Sequence, residues 1–154
     1  MKLSIFNIFK RHPDKRTSKQ KTGDKGEALA EKYLKEKGYR ILERKWHNGK
    51  SEIDIIAMKN ATVAFVEVKP TASDAAEDYK SPAAAVTFEK QKNMKAAAMA
   101  FVNYRKPFLK RGFSEMYEDY RFDVIEVYLN RETPEINHIE NAFIYEKGHR
   151  RWKT

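Results

Sequence analysis

The stretch from Glu52 to Lys69 constrains the fold more than any other. It reads as two strands, Glu52 to Met58 (Glu-Ile-Asp-Ile-Ile-Ala-Met) and Ala61 to Lys69 (Ala-Thr-Val-Ala-Phe-Val-Glu-Val-Lys), joined tightly at Lys59-Asn60. Side chains alternate along a strand, so Val63, Phe65, Glu67 and Lys69 share one face, while Val66 and Val68 share the other. The second run is therefore a buried strand that ends on an acid and an amine. In the first run Glu52, Asp54 and Ile56 share a face. Folding the chain back about residue 60 sets Asp54 roughly opposite Glu67.

The flanking sequence supplies the remaining layers. Asp24 with Glu27 three residues on resembles a capping box, and the helix it opens carries Ala30 and Leu34 on one stripe, with Leu29 and Tyr33 beside them, up to Gly38. Tyr39 to Trp46 is a strand, turning at His47-Asn48-Gly49-Lys50. Pro70 stops the third strand, and a polar loop runs from Thr71 to Pro82. A second helix from about Ala84 to Tyr104, closed by Pro107, spaces Met94, Ala97, Ala98, Phe101 and Val102 helically. Arg121 to Leu129 and Ile136 to Tyr145 are further strands, the last an edge. The order α-β-β-β-α-β-β implies an α/β domain, a mixed central sheet flanked by helices.

Charge divides the chain. Residues 1–25 hold eight Lys and Arg against two Asp, a net +6 of the total +9. The expected organisation is a basic flexible arm over 1–22, a folded domain over 23–146 and a basic tail over 147–154. Such an arm attracts polyanions, nucleic acid above all, and Lys10, Arg11, Lys15 and Arg16 are its candidate phosphate contacts. Lys90 on the second helix is another; a solubilising tail and a solvated helix face are the plainer alternatives. The absence of cysteine excludes disulfides, thiolate zinc sites and cysteine nucleophiles. The four histidines, His12, His47, His138 and His149, show no ligand spacing. No apolar run approaches the ~18–20 residues of a membrane span, and Met1 to Lys10 is too short and polar for a secretory segment. A cytoplasmic chain without membrane insertion is the expectation.

Asp54, Glu67 and Lys69 should thus converge on one side of a sheet. Neighbouring carboxylates repel unless a cation or a proton lies between them. A hard divalent ion such as magnesium accepts two carboxylates and a main-chain carbonyl and keeps several waters. A lysine beside it can orient or deprotonate a water, or stabilise developing negative charge. Glu27, on the stripe of Ala30 and Leu34, should point toward the sheet and complete the set. The bland alternative is a solvated Glu67–Lys69 pair with Asp54 as one more surface acid.

Asp54, twelve intervening residues, then Glu67-Val68-Lys69 resembles the PD-(D/E)XK nuclease superfamily, also called restriction-endonuclease-like. The wider frame is Gly26-Glu27-x-x-Ala30-x-x-Tyr33-Leu34 with Gly38-Tyr39, then Glu52 to Ala57, Phe65 to Lys69, and Arg121-Phe122-Asp123-Val124. It is similar to the YraN-like family within that superfamily, over about residues 23–130. The resemblance implies a four-stranded mixed core flanked by helices, with Asp54 and Glu67 as ligands of Mg2+ or Mn2+ and the Val68 carbonyl assisting. It implies that Lys69 activates the attacking water, that Glu27 supports the metal or its water, and that the chain is an endonuclease hydrolysing phosphodiester bonds, in DNA above all. A non-catalytic nucleic-acid-binding protein with the same fold is the alternative. Ser51 stands where the family usually has glycine, and Lys69-Pro70-Thr71 lacks the usual arginine. Arg121 and Asp123 are expected to pair structurally. Cutting both strands of a duplex needs two sites, which points to a homodimer.

Overall fold

The computed structural model describes residues 16–71, 86–109 and 119–143. Their elements are α1 (Ser18–Glu36), β1 (Arg40–Asn48), β2 (Ser51–Lys59), β3 (Thr62–Thr71), α2 (Phe88–Leu109), β4 (Asp119–Tyr128) and β5 (Glu135–Phe143). The strands form one sheet in the order β1-β2-β3-β4-β5. Only β3 and β4 pair in parallel; the other neighbours are antiparallel. The sheet is mixed, as the element order implies, with five strands rather than four.

One helix covers each face. Ala30 and Leu34 of α1 pack on Ile55, Ala64, Val66, Ile125 and Val127. Met94, Ala97, Ala98 and Phe101 of α2 pack on Ile56, Val63, Phe65, Phe122 and Val124. The two alanines let α2 come close enough for the Trp46 indole N–H to donate to the Ala97 carbonyl at 3.2 Å. Because β3 is central, its alternate residues feed both cores, which is why the run Val63 to Val68 is apolar nearly throughout.

Several boundaries differ from expectation. Helix α1 starts at Ser18, capped by Thr17 in a reciprocal box with Gln20, so Asp24 lies inside the helix. The first of two adequate caps is used, because Gly23 weakens a helix interior by only about 1 kcal/mol. The expected boundary at 22/23 is therefore crossed by helix, and Arg16 pairs with Asp24 (2.6 Å) within the chain. Lys10, Arg11 and Lys15, the loop over 72–82, Ala84 and the tail over 147–154 lie outside the described residues. The C-terminus of α1 is as expected: Gly38 adopts φ +83°, and the N–H groups of Gly38 and Tyr39 donate to the Lys35 and Leu34 carbonyls.

The β2–β3 turn is Asn60-Ala61, one residue later than Lys59-Asn60, since Lys59 pairs with Thr62. Both turn residues have positive φ (49° and 62°), the backbone of a mirror-type hairpin turn. Alanine is strained there, so Ala61→Gly should stabilise the protein by about 1 kcal/mol in urea unfolding. An unchanged or lower midpoint would show that the turn relaxes otherwise.

Pro70 does not stop β3; it stays in the strand, in register with Val127 of β4. Backbone groups alternate sides, so the Pro70 nitrogen points as Val68 N–H does, toward β2, which has already left the ladder. No hydrogen bond is lost by its presence. Similarly, Pro107 does not close α2, which continues to Leu109; in the last turn a proline removes one N–H bond from the ladder.

Candidate functional site

Every pairing of β2 with β3 follows one register, and the ladder ends at Ile55 opposite Val66. Continuing that register would set Asp54 against Glu67, as the sequence implies. The strand instead turns at this point. Ile55 and Ala57 face the α1 core, whereas Ile53 joins Ile56 in the α2 core, so the alternation slips by one across Asp54. Asp54 therefore does not share a simple face with Glu52 and Ile56. Its carboxylate replaces a main-chain acceptor: Val68 N–H donates to Asp54 Oδ2 at 2.7 Å. A residue's N–H and C=O lie on the same side of a strand, so the Val68 carbonyl is turned toward this notch too.

Glu67 projects from the α2 side of β3 and its side chain is only 5% exposed. Lys69 Nζ donates to its Oε1 at 2.8 Å, and Lys90 Nζ of α2 lies 2.8 Å from Oε2. The second contact is an ion pair across layers, so each buried Glu67 oxygen faces one ammonium. The solvated-pair alternative is thus excluded for Glu67. Burial, reinforced by the charge of Glu67, pushes the Asp54 carboxyl up to about 7, against the pull of Val68 N–H and Lys90.

Glu27 is placed differently from expectation. It is half-buried on α1, and Lys45 Nζ of β1 lies 3.2 Å from its Oε2, held as well by Asp24 at 2.9 Å. Its charge reaches Asp54 less than that of Glu67 or Lys90 does. Among the described residues, no three His, Asp or Glu side chains gather as a metal-holding group. The structure therefore brings together Asp54, Val68, Glu67, Lys69 and Lys90, with Glu27 at the margin. The α1 helix is nonetheless tight against this end of the sheet. A Cβ at Gly26 would stand 2.6 Å from Pro70 Cβ, so the absence of a side chain there is what lets α1 lie this close to β3.

The raised Asp54 has a pH signature. Between about pH 4 and pH 7 the folded protein keeps a proton that an ordinary aspartate has already lost in the unfolded chain. Metal-free stability should fall as pH rises through that window and level off above it. Asp54→Asn should lack this fall and exceed the wild type at pH 8 by on the order of 3 kcal/mol. Urea unfolding in chelator at pH 4.5, 6 and 8 reads the difference; parallel profiles would mean that Asp54 is not strained.

Residues 26–127 match the family described as "Uncharacterised protein family UPF0102". The chain belongs to UPF0102. A UPF0102 protein of Alkaliphilus oremlandii is 42% identical over 124 residues, covering 80% of this chain and 98% of that protein. One from Caldicellulosiruptor saccharolyticus is 40% identical over 128 residues, with 82% and 99% covered, and one from Geobacter metallireducens is 38% identical over 121 residues, with 79% and 90% covered. UPF0102 is the YraN-like family of the resemblance, a family of the PD-(D/E)XK nuclease fold. The match begins at Gly26, the glycine pressed against Pro70.

Proposed function

We propose that this UPF0102 protein is a Mg2+- or Mn2+-dependent nuclease that hydrolyses phosphodiester bonds in nucleic acid, DNA above all. The observation that carries the reading is the buried acid pair: Asp54 and Glu67 at the open end of the β2–β3 hairpin, with Lys69 donating to Glu67. The donor set suits a hard divalent ion. Burial makes Asp54 resist ionisation in the metal-free site, and two carboxylates beside a main-chain carbonyl turned the same way are oxygen ligands of the right kind.

When bound, the ion supplies a polarised water and offsets charge developing on the phosphate. Asp54 and Glu67 would hold it, with the Val68 carbonyl turned to the same notch. Lys69, about a third exposed, can swing its ammonium from Glu67 Oε1 toward a scissile phosphate. There it would orient the attacking water and share the charge of the crowded phosphate. The hairpin fixes the two carboxylates before any substrate arrives, so the swing of Lys69 is the main reorganisation left. The basic arm, with Lys10, Arg11 and Lys15, would hold the polyanion by counterion release, as a monomer or a homodimer.

A binding protein without catalysis is the second reading. It is favoured by the two lysines on Glu67, which neutralise the acid and leave little to repel a phosphate. Calorimetric titration of Mg2+ and Mn2+ into the wild type and Glu67→Ala, followed by incubation with labelled linear, flapped and branched DNA, separates the two. The nuclease reading expects metal uptake lost in the variant and metal-dependent cutting of at least one substrate. No uptake and no cutting, with DNA still bound, would establish the binding protein instead.

A further inference from the structure

Lys90 is out of character for a helix-surface lysine. It lies in the first turn of α2, its N–H facing the Thr87 hydroxyl oxygen at 3.3 Å, and its side chain is only 28% exposed. Its Nζ sits 2.8 Å from the buried Glu67 Oε2, and its charge also reaches Asp54. Lys69 already serves the other oxygen from the same strand. Lys90 comes from a different layer and pairs with Oε2 at the same distance, 2.8 Å. An ammonium paired with Glu67, its charge felt at Asp54, occupies the place where a divalent ion would be drawn.

We infer that Lys90 is the site's resident counter-ion, displaced when a divalent metal ion binds Asp54 and Glu67 and then free to take a phosphate of the nucleic acid. This rests on the metal-dependent reading above. A divalent ion on the same carboxylates repels the Lys90 ammonium, and the four-carbon stem lets it leave without moving α2. The released charge lies beside the scissile position, so metal entry would prepare a phosphate contact in the same step. Linkage requires the reverse as well: a phosphate that draws Lys90 outward makes room for the metal.

The test is titration calorimetry of Mg2+ and Mn2+ into the full chain carrying Lys90→Met or Lys90→Arg, beside the wild type and Glu67→Gln. Lys90→Met, which keeps the stem and removes the charge, should bind metal about tenfold more tightly than wild type, an ordinary size for such a coupling. Lys90→Arg should stay near wild type, and Glu67→Gln should lose uptake. Equal or weaker binding by Lys90→Met, with wild-type uptake intact, overturns the counter-ion and leaves the metal site standing. Absence of uptake by wild type and Lys90→Met alike overturns both. Nitrogen-15 NMR of the wild-type lysine ammonium groups decides the matter independently of how the variants fold. The Lys90 signal should be protected from solvent exchange in chelator and lose that protection as Mg2+ is added; protection that persists at metal saturation refutes displacement.

Discussion

Glu67→Gln is expected to lower metal-dependent cleavage by about a thousandfold or more, with DNA affinity unchanged or higher. The glutamine keeps the shape and the neutral acceptor oxygen but removes the charge that would bind the ion. Glu67 is buried between two lysines, so the variant leaves Lys69 and Lys90 without their shared anion, and both then attract phosphate instead. The Asp54 carboxyl, relieved of its neighbour, should ionise more readily. The rate on labelled DNA in Mg2+ and the affinity by fluorescence anisotropy in chelator measure the two halves separately. Cleavage within a few-fold of wild type would remove Glu67 from the chemistry, and a parallel drop in affinity would make it a structural residue.

The largest expected effect on stability lies on the opposite face of the sheet. Asp123 of β4 is fully buried, accepting from Arg121 Nε at 3.0 Å and from Asn141 N–H at 3.0 Å, with His138 Nε2 2.9 Å away. Arg121 extends the network to Glu140 and to the Tyr39 hydroxyl. Asp123 thereby ties β5 and the end of α1 to the central strands. Asp123→Ala should cost about 3 kcal/mol in urea unfolding, because the partly buried Arg121 loses its buried carboxylate, keeping Glu140, while the Asn141 N–H loses its acceptor. Asp123→Asn, which can still accept from Asn141, should cost less. Cleavage per folded molecule should be unchanged in both. A loss below about 1 kcal/mol for the alanine variant would show that the network rearranges freely.

The layered fold was legible because its signals are periodic. The apolar run of β3, the stripe of Ala30 and Leu34, and the spacing of Met94 to Phe101 each state which face is buried. The pairing of Arg121 with Asp123 was readable from their order along β4. What escaped depends on departures from periodicity. The slip of alternation at Asp54 arises because β2 leaves β3 there, and nothing in Ile53-Asp54-Ile55 announces it. Pro70 reads as a strand stop only when the side on which its nitrogen falls is unknown. Glu27 shares a stripe with core residues, yet Lys45 across the sheet edge engages it, a contact 18 residues away that no local pattern carries. Lys90 belongs to the same class. Its spacing resembles a solvated face, and only the packing of α2 reveals that its ammonium meets Glu67. The capping box at Thr17 and Gln20 was the one local signal overlooked.

The ladder of β2 and β3 ends one residue short of its own acids, and Asp54, Glu67 and Lys69 all lie within one hairpin. In the proposed enzyme the chemistry is therefore written in a single short passage of chain, while the helices and the basic arm address the substrate. The two vocabularies are separable. A relative could change which nucleic acid it recognises by rewriting α2 or its arm and keep its reaction intact, or fall silent through one change in the hairpin and remain a faithful binder.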